Sequence, residues 1–280
     1  MVPDVQFIQI AGRRYHHLTL EPPPGVRVRM VCIFTHGQGD YAERYVEVLH
    51  PFTQSGIRCI LSDLPGHGRS GGKRGHLRLR DIDALIQHNL ALAGSLPVGI
   101  AGHSMGGLLT LRHLALSLKG ELAQPAFCWV NGPLLKPANG HPDWFVGIAK
   151  KIGKLLPRTT IDTKVTAEQC NRGEPGDDRV PKLGDLAHQR VSLGWGSQLI
   201  EISEFVHETL TSHHYPNPFL LTQGLEDQIC PPEFSRQLFQ ELEWPQKQWT
   251  GLEGMRHETF AEPHRQLLFD TVSDWVERSL

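Results

Sequence analysis

The sequence predicts an α/β fold: a mostly parallel central sheet with helices on both faces, interrupted by an insertion. Three observations lead there. Dense apolar runs alternate with helical stripes along most of the 280 residues, the order that a parallel sheet with crossover helices requires. The alternation stops between Pro133 and about Ser212, where Pro, Gly and charge are frequent, and then resumes. At AGHSMGGLLT, residues 101–110, a strand pattern runs into a helix pattern with no linker.

In chain order, Gln6 to Leu20 alternates apolar and polar residues around an AGR turn and reads as an antiparallel hairpin. RVRMVCIFT, 27–35, is a denser run, as expected of a strand buried on both faces. Residues 41–55 carry a helical stripe through Tyr45, Val48, Leu49 and Phe52, followed by a second buried strand at GIRCILSD. A helix is expected over 81–95, a third strand at VGIAGH, 98–103, and a helix over 104–118 with Leu108, Leu111, Leu114 and Leu118 on one stripe. AFCWVNG, 126–132, is the fourth buried strand. After the interruption come NPFLLTQG at 217–224, a helix near 232–243, a short strand around Gln246 to Thr250 and a last helix from about 263 to 279. The expected division is therefore one core built from 1–133 and 213–280, with 134–212 inserted.

Apolar residues make up 39% of the chain, enough for a substantial core. Lys and Arg number 28 against 30 acids, a net charge of -2, so nothing in the balance points to nucleic acid. The start, MVPDVQFIQI, lacks the basic and apolar regions of an export signal. No stretch approaches the ~18 apolar residues of a membrane span. Five scattered cysteines, Cys32, Cys59, Cys128, Cys170 and Cys230, fit reduced thiols better than a disulfide framework. A cytoplasmic protein is the expectation. The His pairs at 16–17 and 213–214 lack the spacing of a metal site and read as solvated.

Ser104 sits on the strand-to-helix turn itself. A serine there adopts strained torsions and tolerates only small neighbours, which Gly102, Gly106 and Gly107 supply. A serine that merely caps a helix has no need of three glycines. The turn lifts the hydroxyl above the carboxyl edge of the sheet, where open α/β folds bind ligands. A hydroxyl is a weak nucleophile, so a base and an orienting acid must come from elsewhere. Asp227 follows the strand FLLTQG within GLEDQI, and His257 follows the last short strand within GMRHET. Ser104, Asp227, His257 is the chain order this arrangement uses. Glu226 is one place off the G-x-x-D spacing, and His264 falls within the expected last helix. For the oxyanion, one backbone N–H should come from Met105 at the helix N-terminus and one from HGQGD after the first parallel strand, with Gln38 as the candidate.

THGQGDYAERY, DLPGHGRSGG, AGHSMGG, QGLEDQI and GMRHETFAE, in this order and spacing, resemble the α/β-hydrolase group that holds monoacylglycerol lipases and lysophospholipases. The resemblance runs from about residue 5 to the C-terminus and includes the place of the insertion. It implies the α/β-hydrolase fold, a Ser104–Asp227–His257 triad, oxyanion donors Gln38 and Met105, and a helical cap over 134–212 that holds one acyl chain. It matches Arg44 to an Arg-Tyr after the oxyanion loop, where a structural role is expected. No cofactor is implied, and a monoacylglycerol or lysophospholipid is the expected substrate. A short-chain carboxylesterase, an acyltransferase or aminopeptidase, and a binding protein that has lost catalysis remain alternatives. A dehalogenase is disfavoured, because Ser104 stands where an Asp nucleophile would.

Within the insertion, PDWFVGIAKKIGKLLP at 142–157 puts Phe145, Ile148, Ile152, Leu155 and Leu156 on one helical face, with Lys150, Lys151 and Lys154 elsewhere. Such a helix either rests on a membrane surface or packs the cap onto the body.

Overall fold

A computed structural model describes residues 2–137, 143–173 and 184–280. The N-terminal alternation forms the hairpin β1 (Asp4–Ile10) and β2 (Arg13–Leu20), turning through Ala11 and Gly12, both at positive φ. β3 (Met30–Thr35), β4 (Ile57–Ser62), β5 (Val98–His103), β6 (Cys128–Asn131), β9 (Phe219–Gly224) and β10 (Lys247–Leu252) follow as the parallel part of one sheet. Its order is β1-β2-β4-β3-β5-β6-β9-β10, with only the β1–β2 and β2–β4 pairings antiparallel. FLLTQG of β9 is buried at every position, as a strand covered on both faces must be.

The helices divide between the two faces. α2 (Leu79–Ala91), α3 (Met105–Leu118), α6 (Leu193–Ser212) and α7 (Pro232–Glu241) enclose a core with Ile100, Cys128 and Leu221. On the other face α1 (His50–Gln54) and α8 (Gln266–Ser279) pack around Phe52, Trp129 and Trp275. The stripe at 41–55 is not one helix: a 3₁₀ turn at Ala42–Tyr45 precedes the short α1. Pro51, which cannot donate to a preceding turn, makes a fresh start at His50. Tyr45, Val48, Leu49 and Phe52 are nevertheless all buried, as the stripe requires. His264 stands in the turn before α8 and not within the last helix, because α8 begins only at Gln266.

Between β6 and β9 the structure describes α4 (Asp143–Leu155), β7 (Thr160–Asp162), α5 (Ala167–Cys170), β8 (Arg190–Ser192) and α6. β7 and β8 form a separate antiparallel pair. α6 packs on both α3 and α4, and its stripe of Trp195, Leu199, Ile202, Val206 and Leu210 lies in the main core. All five cysteines are free and buried. Among the described residues no helix is long and apolar enough to cross a membrane.

Candidate active site

The parallel strands all end on one edge of the sheet, and the loops leaving them carry the predicted residues. Ser104 follows β5 directly, at φ 58 and ψ -123, a left-handed conformation that costs a non-glycine residue of order 1–3 kcal/mol. Its neighbours permit it. A Cβ at Gly102 would lie 2.5 Å from the Gly106 carbonyl oxygen, and one at Gly106 would lie 2.1 Å from that of Thr35. The Ser104 N–H donates to Asn131 O at 3.0 Å, which ties the turn to the end of β6.

The structure brings the three predicted side chains together. Ser104 Oγ lies 2.9 Å from His257 Nε2, and His257 Nδ1 lies 2.7 Å from Asp227 Oδ2. All three residues are buried. Asp227 is held from every side: Oδ1 accepts from the N–H groups of Ile229 and Cys230, each at 2.8 Å, and Oδ2 also accepts from Gln223 Nε2 at 2.9 Å. Burial pulls the His257 imidazole toward its neutral form. The charge and hydrogen bond of Asp227, with Glu258 and Asp40 farther off, outweigh it and raise the pKa above the ordinary 6.5. That combination favours a base that accepts a proton readily and shares the resulting charge with a fixed carboxylate.

The rivals are elsewhere. Glu226 is exposed and ion-paired with Arg172. His264 is exposed. The HGQGD loop abuts the nucleophile, since a Cβ at Gly37 would lie 3.2 Å from Ser104 Cβ. Gln38 is half-buried there, and Met105 is buried at the first position of α3. DLPGHGRSGG is not a loose turn: the buried Asp63 accepts from the N–H groups of Ala42 and Arg69 at 2.7 Å each, fastening it to the 3₁₀ turn.

His103 packs its ring 4.7 Å from that of His257, and burial followed by the His257 charge pushes its own pKa well down, so it is a neutral wall. Arg44 makes a two-pronged pair with Glu258, at 2.8 and 2.7 Å, and reaches Asp40 at 3.0 Å. Tyr45 Oη donates to Asp40 at 2.6 Å, and Asn171 Nδ2 donates to Glu258 at 2.7 Å. Arg44 thus links the HGQGD loop to the loop of His257, as the structural role expected for it requires. Cys230 lies beside the triad as a neutral thiol, its pKa raised by burial and then by the Asp227 charge. Asp227, Cys230 and His257 offer ligand atoms within 4.8 Å of one another. A cation there would displace the His257–Asp227 hydrogen bond.

A family model described as serine aminopeptidase, S33, matches residues 26–264, which spans every element carrying this geometry. The chain belongs to that family. As a serine aminopeptidase S33 family member it is 28% identical to a monoacylglycerol lipase of Mycolicibacterium smegmatis over 90% of both chains. It is 25% identical to the phospholipase YtpA of Bacillus subtilis over 89% of this chain and 95% of that one. Among solved structures, the Paleococcus ferrophilus monoacylglycerol lipase superposes with a TM-score of 0.80 at 26% identity, covering 94% of this chain and 98% of the other. The fold of this family member is the α/β-hydrolase fold that the sequence predicts.

Proposed function

We propose that this S33 family member is a serine hydrolase that cleaves the carboxylic ester of a single-acyl lipid, a monoacylglycerol or lysophospholipid, through an acyl-enzyme on Ser104. The observation that carries the reading is the continuous line Ser104 Oγ, His257 Nε2, His257 Nδ1, Asp227 Oδ2, with steps of 2.9 and 2.7 Å. The names of relatives matched over nearly their whole length support the substrate class.

In this mechanism His257 takes the proton of Ser104 as Oγ attacks the ester carbonyl carbon. The oxyanion that forms is met by the backbone N–H groups of Gln38 and Met105. His257 then gives its proton to the leaving glycerol or phosphoglycerol oxygen, and the ester bond breaks. Water, deprotonated by His257, attacks the acyl-serine, and collapse returns the fatty acid and the Ser104 hydroxyl. Asp227 holds the imidazole tautomer and stabilises its cation.

The family description also names a peptidase, which would have to seat an α-ammonium on a free acid. Around the triad, the described acids are engaged: Glu258 with Arg44 and Asn171, Asp40 with Arg44 and Tyr45, and Glu262 with the N–H groups of Arg172 and Arg256. The ester reading therefore stands ahead of it.

We take 1–133 and 213–280 as the catalytic body and 134–212 as the cap, which α6 roots in the core. A cap that admits lipid from a membrane surface is part of the proposal. Its support is the exposure of Ile152, Leu155 and Leu156 beside Lys151 and Lys154. Phe145 and Ile148, on the same expected face, lie outside the described side chains. Leu155→Glu should slow hydrolysis of vesicle-borne monoacylglycerol severalfold and leave soluble short esters unaffected; equal rates on vesicles would remove the membrane contact.

The test of the function is fatty-acid release from monoacylglycerol, lysophosphatidylcholine and p-nitrophenyl esters of graded length. Long-chain lipid turnover by the wild type, falling by roughly 10⁶ to the detection floor in Ser104→Ala, is expected. Activity confined to short esters would make it a carboxylesterase, and no activity at all a binding protein.

A further inference from the structure

Trp195 stands in the first turn of α6 and is fully buried. Its backbone is fixed from outside the helix. The Trp195 N–H donates to Ser192 Oγ at 3.2 Å, His76 Nδ1 lies 2.9 Å from that same oxygen, and the Ser192 N–H donates to Gly75 O at 2.7 Å. The start of α6 is therefore clamped to the loop that follows DLPGHGRSGG.

The indole Nε1–H from this clamped position has two acceptors on two other elements. Gln38 Oε1, in the loop after β3, lies 3.2 Å away, and Met105 Sδ, from the first residue of α3, also lies 3.2 Å away. These are the side chains of the two residues whose backbone N–H groups are assigned to the oxyanion. The other end of the Gln38 carboxamide, Nε2, donates to Arg190 O at 2.7 Å. One residue on, the His188 N–H donates to Gly39 O at 2.9 Å, and a Cβ at Gly39 would lie 2.0 Å from the His188 carbonyl oxygen. Residues 188–195 thus lie directly on the HGQGD loop and hold Gln38 at both ends of its side chain.

We propose that Trp195 is a positioning residue of the oxyanion site: one buried indole N–H, shared by Gln38 and Met105, fixes the distance between the two backbone donors. The inference rests on the proposed function and adds a residue to it. Oxyanion donors act only when they stand 2.7–3.1 Å from where the charge develops, so small displacements matter. Met and Gln are among the freest side chains, and an unpinned rotamer at either lets its backbone relax. A buried indole N–H without an acceptor is costly, so the ring cannot drift from the pair without losing that bond.

Trp195→Phe keeps most of the ring and removes the N–H. Gln38→Met keeps the length of the other partner and removes its carboxamide. Each should lower kcat on monoacylglycerol about tenfold, less than the 10² to 10³ lost with an oxyanion donor itself. KM should stay within about twofold, and affinity for a trifluoromethyl ketone that forms a tetrahedral adduct with Ser104 should fall in proportion to kcat. The double variant should lose little more than Gln38→Met alone, as residues acting through one bond do. Wild-type kcat in Trp195→Phe, or a kcat loss with unchanged ketone affinity and a lowered Tm, would overturn the proposal. Should Trp195→Phe not fold, wild-type kcat and ketone affinity in Gln38→Met overturn it equally. Ser104→Ala run alongside separates the two readings. Turnover that survives in Ser104→Ala sinks the proposed function, whereas a dead Ser104→Ala beside a fully active Trp195→Phe sinks the positioning role alone.

Discussion

At the scale of single residues, the electrostatics around His257 set the expected pH behaviour. A general base works only when neutral, so kcat/KM should rise with pH through the His257 pKa. That pKa is raised above 6.5 by Asp227, Glu258 and Asp40 against the pull of burial. The acid limb of the profile should therefore have its midpoint above 6.5. Glu258→Gln removes one of the anions and leaves the Arg44 charge less compensated. Both changes disfavour the imidazolium, so the limb should move to lower pH. A limb below 6.5 in the wild type, or one that moves upward in Glu258→Gln, would contradict the arrangement. Breaking the buried Arg44–Glu258 pair also has a stability cost, about 3–5 kcal/mol. The profile is therefore measured well below the variant's own Tm.

At the scale of elements, the turn from β5 to α3 places the nucleophile by close packing of backbone. Gly106→Ala would bring a methyl within 2.1 Å of the Thr35 carbonyl oxygen and 2.4 Å of that of His36. Neither carbonyl is the free end of a flexible side chain, so the β3 loop must move. We expect a loss of about 1–3 kcal/mol in denaturant unfolding. The fall in kcat should exceed that expected from the unfolded fraction alone, because the displaced segment leads into Gly37 and Gln38. Unchanged stability and rate would mean that the turn has slack which these distances deny. This element was the most legible part of the sequence, since its constraint is local: strand, serine and three glycines within a few residues. The hairpin and the buried strands were legible for the same reason. Contacts made at long range were not. Nothing near Glu258 in the chain announces Arg44, and nothing near Trp195 announces Gln38 and Met105, because those partners meet only when the sheet edge assembles. The stripe at 41–55 misled in the opposite way: its apolar spacing was correct, and Pro51 divided it.

At the scale of the whole molecule, the parallel sheet gathers onto one edge three residues more than 150 positions apart in the case of Ser104 and His257. Between β6 and β9, Asn171, His188 and Arg190 bond to the loops at that edge. The sequence leaves the stripe at 142–157 open between a membrane surface and the body, and the stripe of α6 is not read from it at all. The stripe of α6 turned out to be core, packed on α3, while Leu155 near the end of α4 is 79% exposed. Periodicity shows that a face is apolar, and only the assembled layers show what covers it. The central claim is that this molecule transfers the acyl group of a single-acyl lipid onto Ser104. The most direct test is to mix the enzyme with a long-chain monoacylglycerol, quench in acid within the first turnover, and locate the added acyl mass by peptide mapping. We predict one acyl group on the peptide containing Ser104, absent in Ser104→Ala. Fatty-acid release with the acyl group on another residue, or with none on the protein while Ser104→Ala still turns over, would contradict the claim.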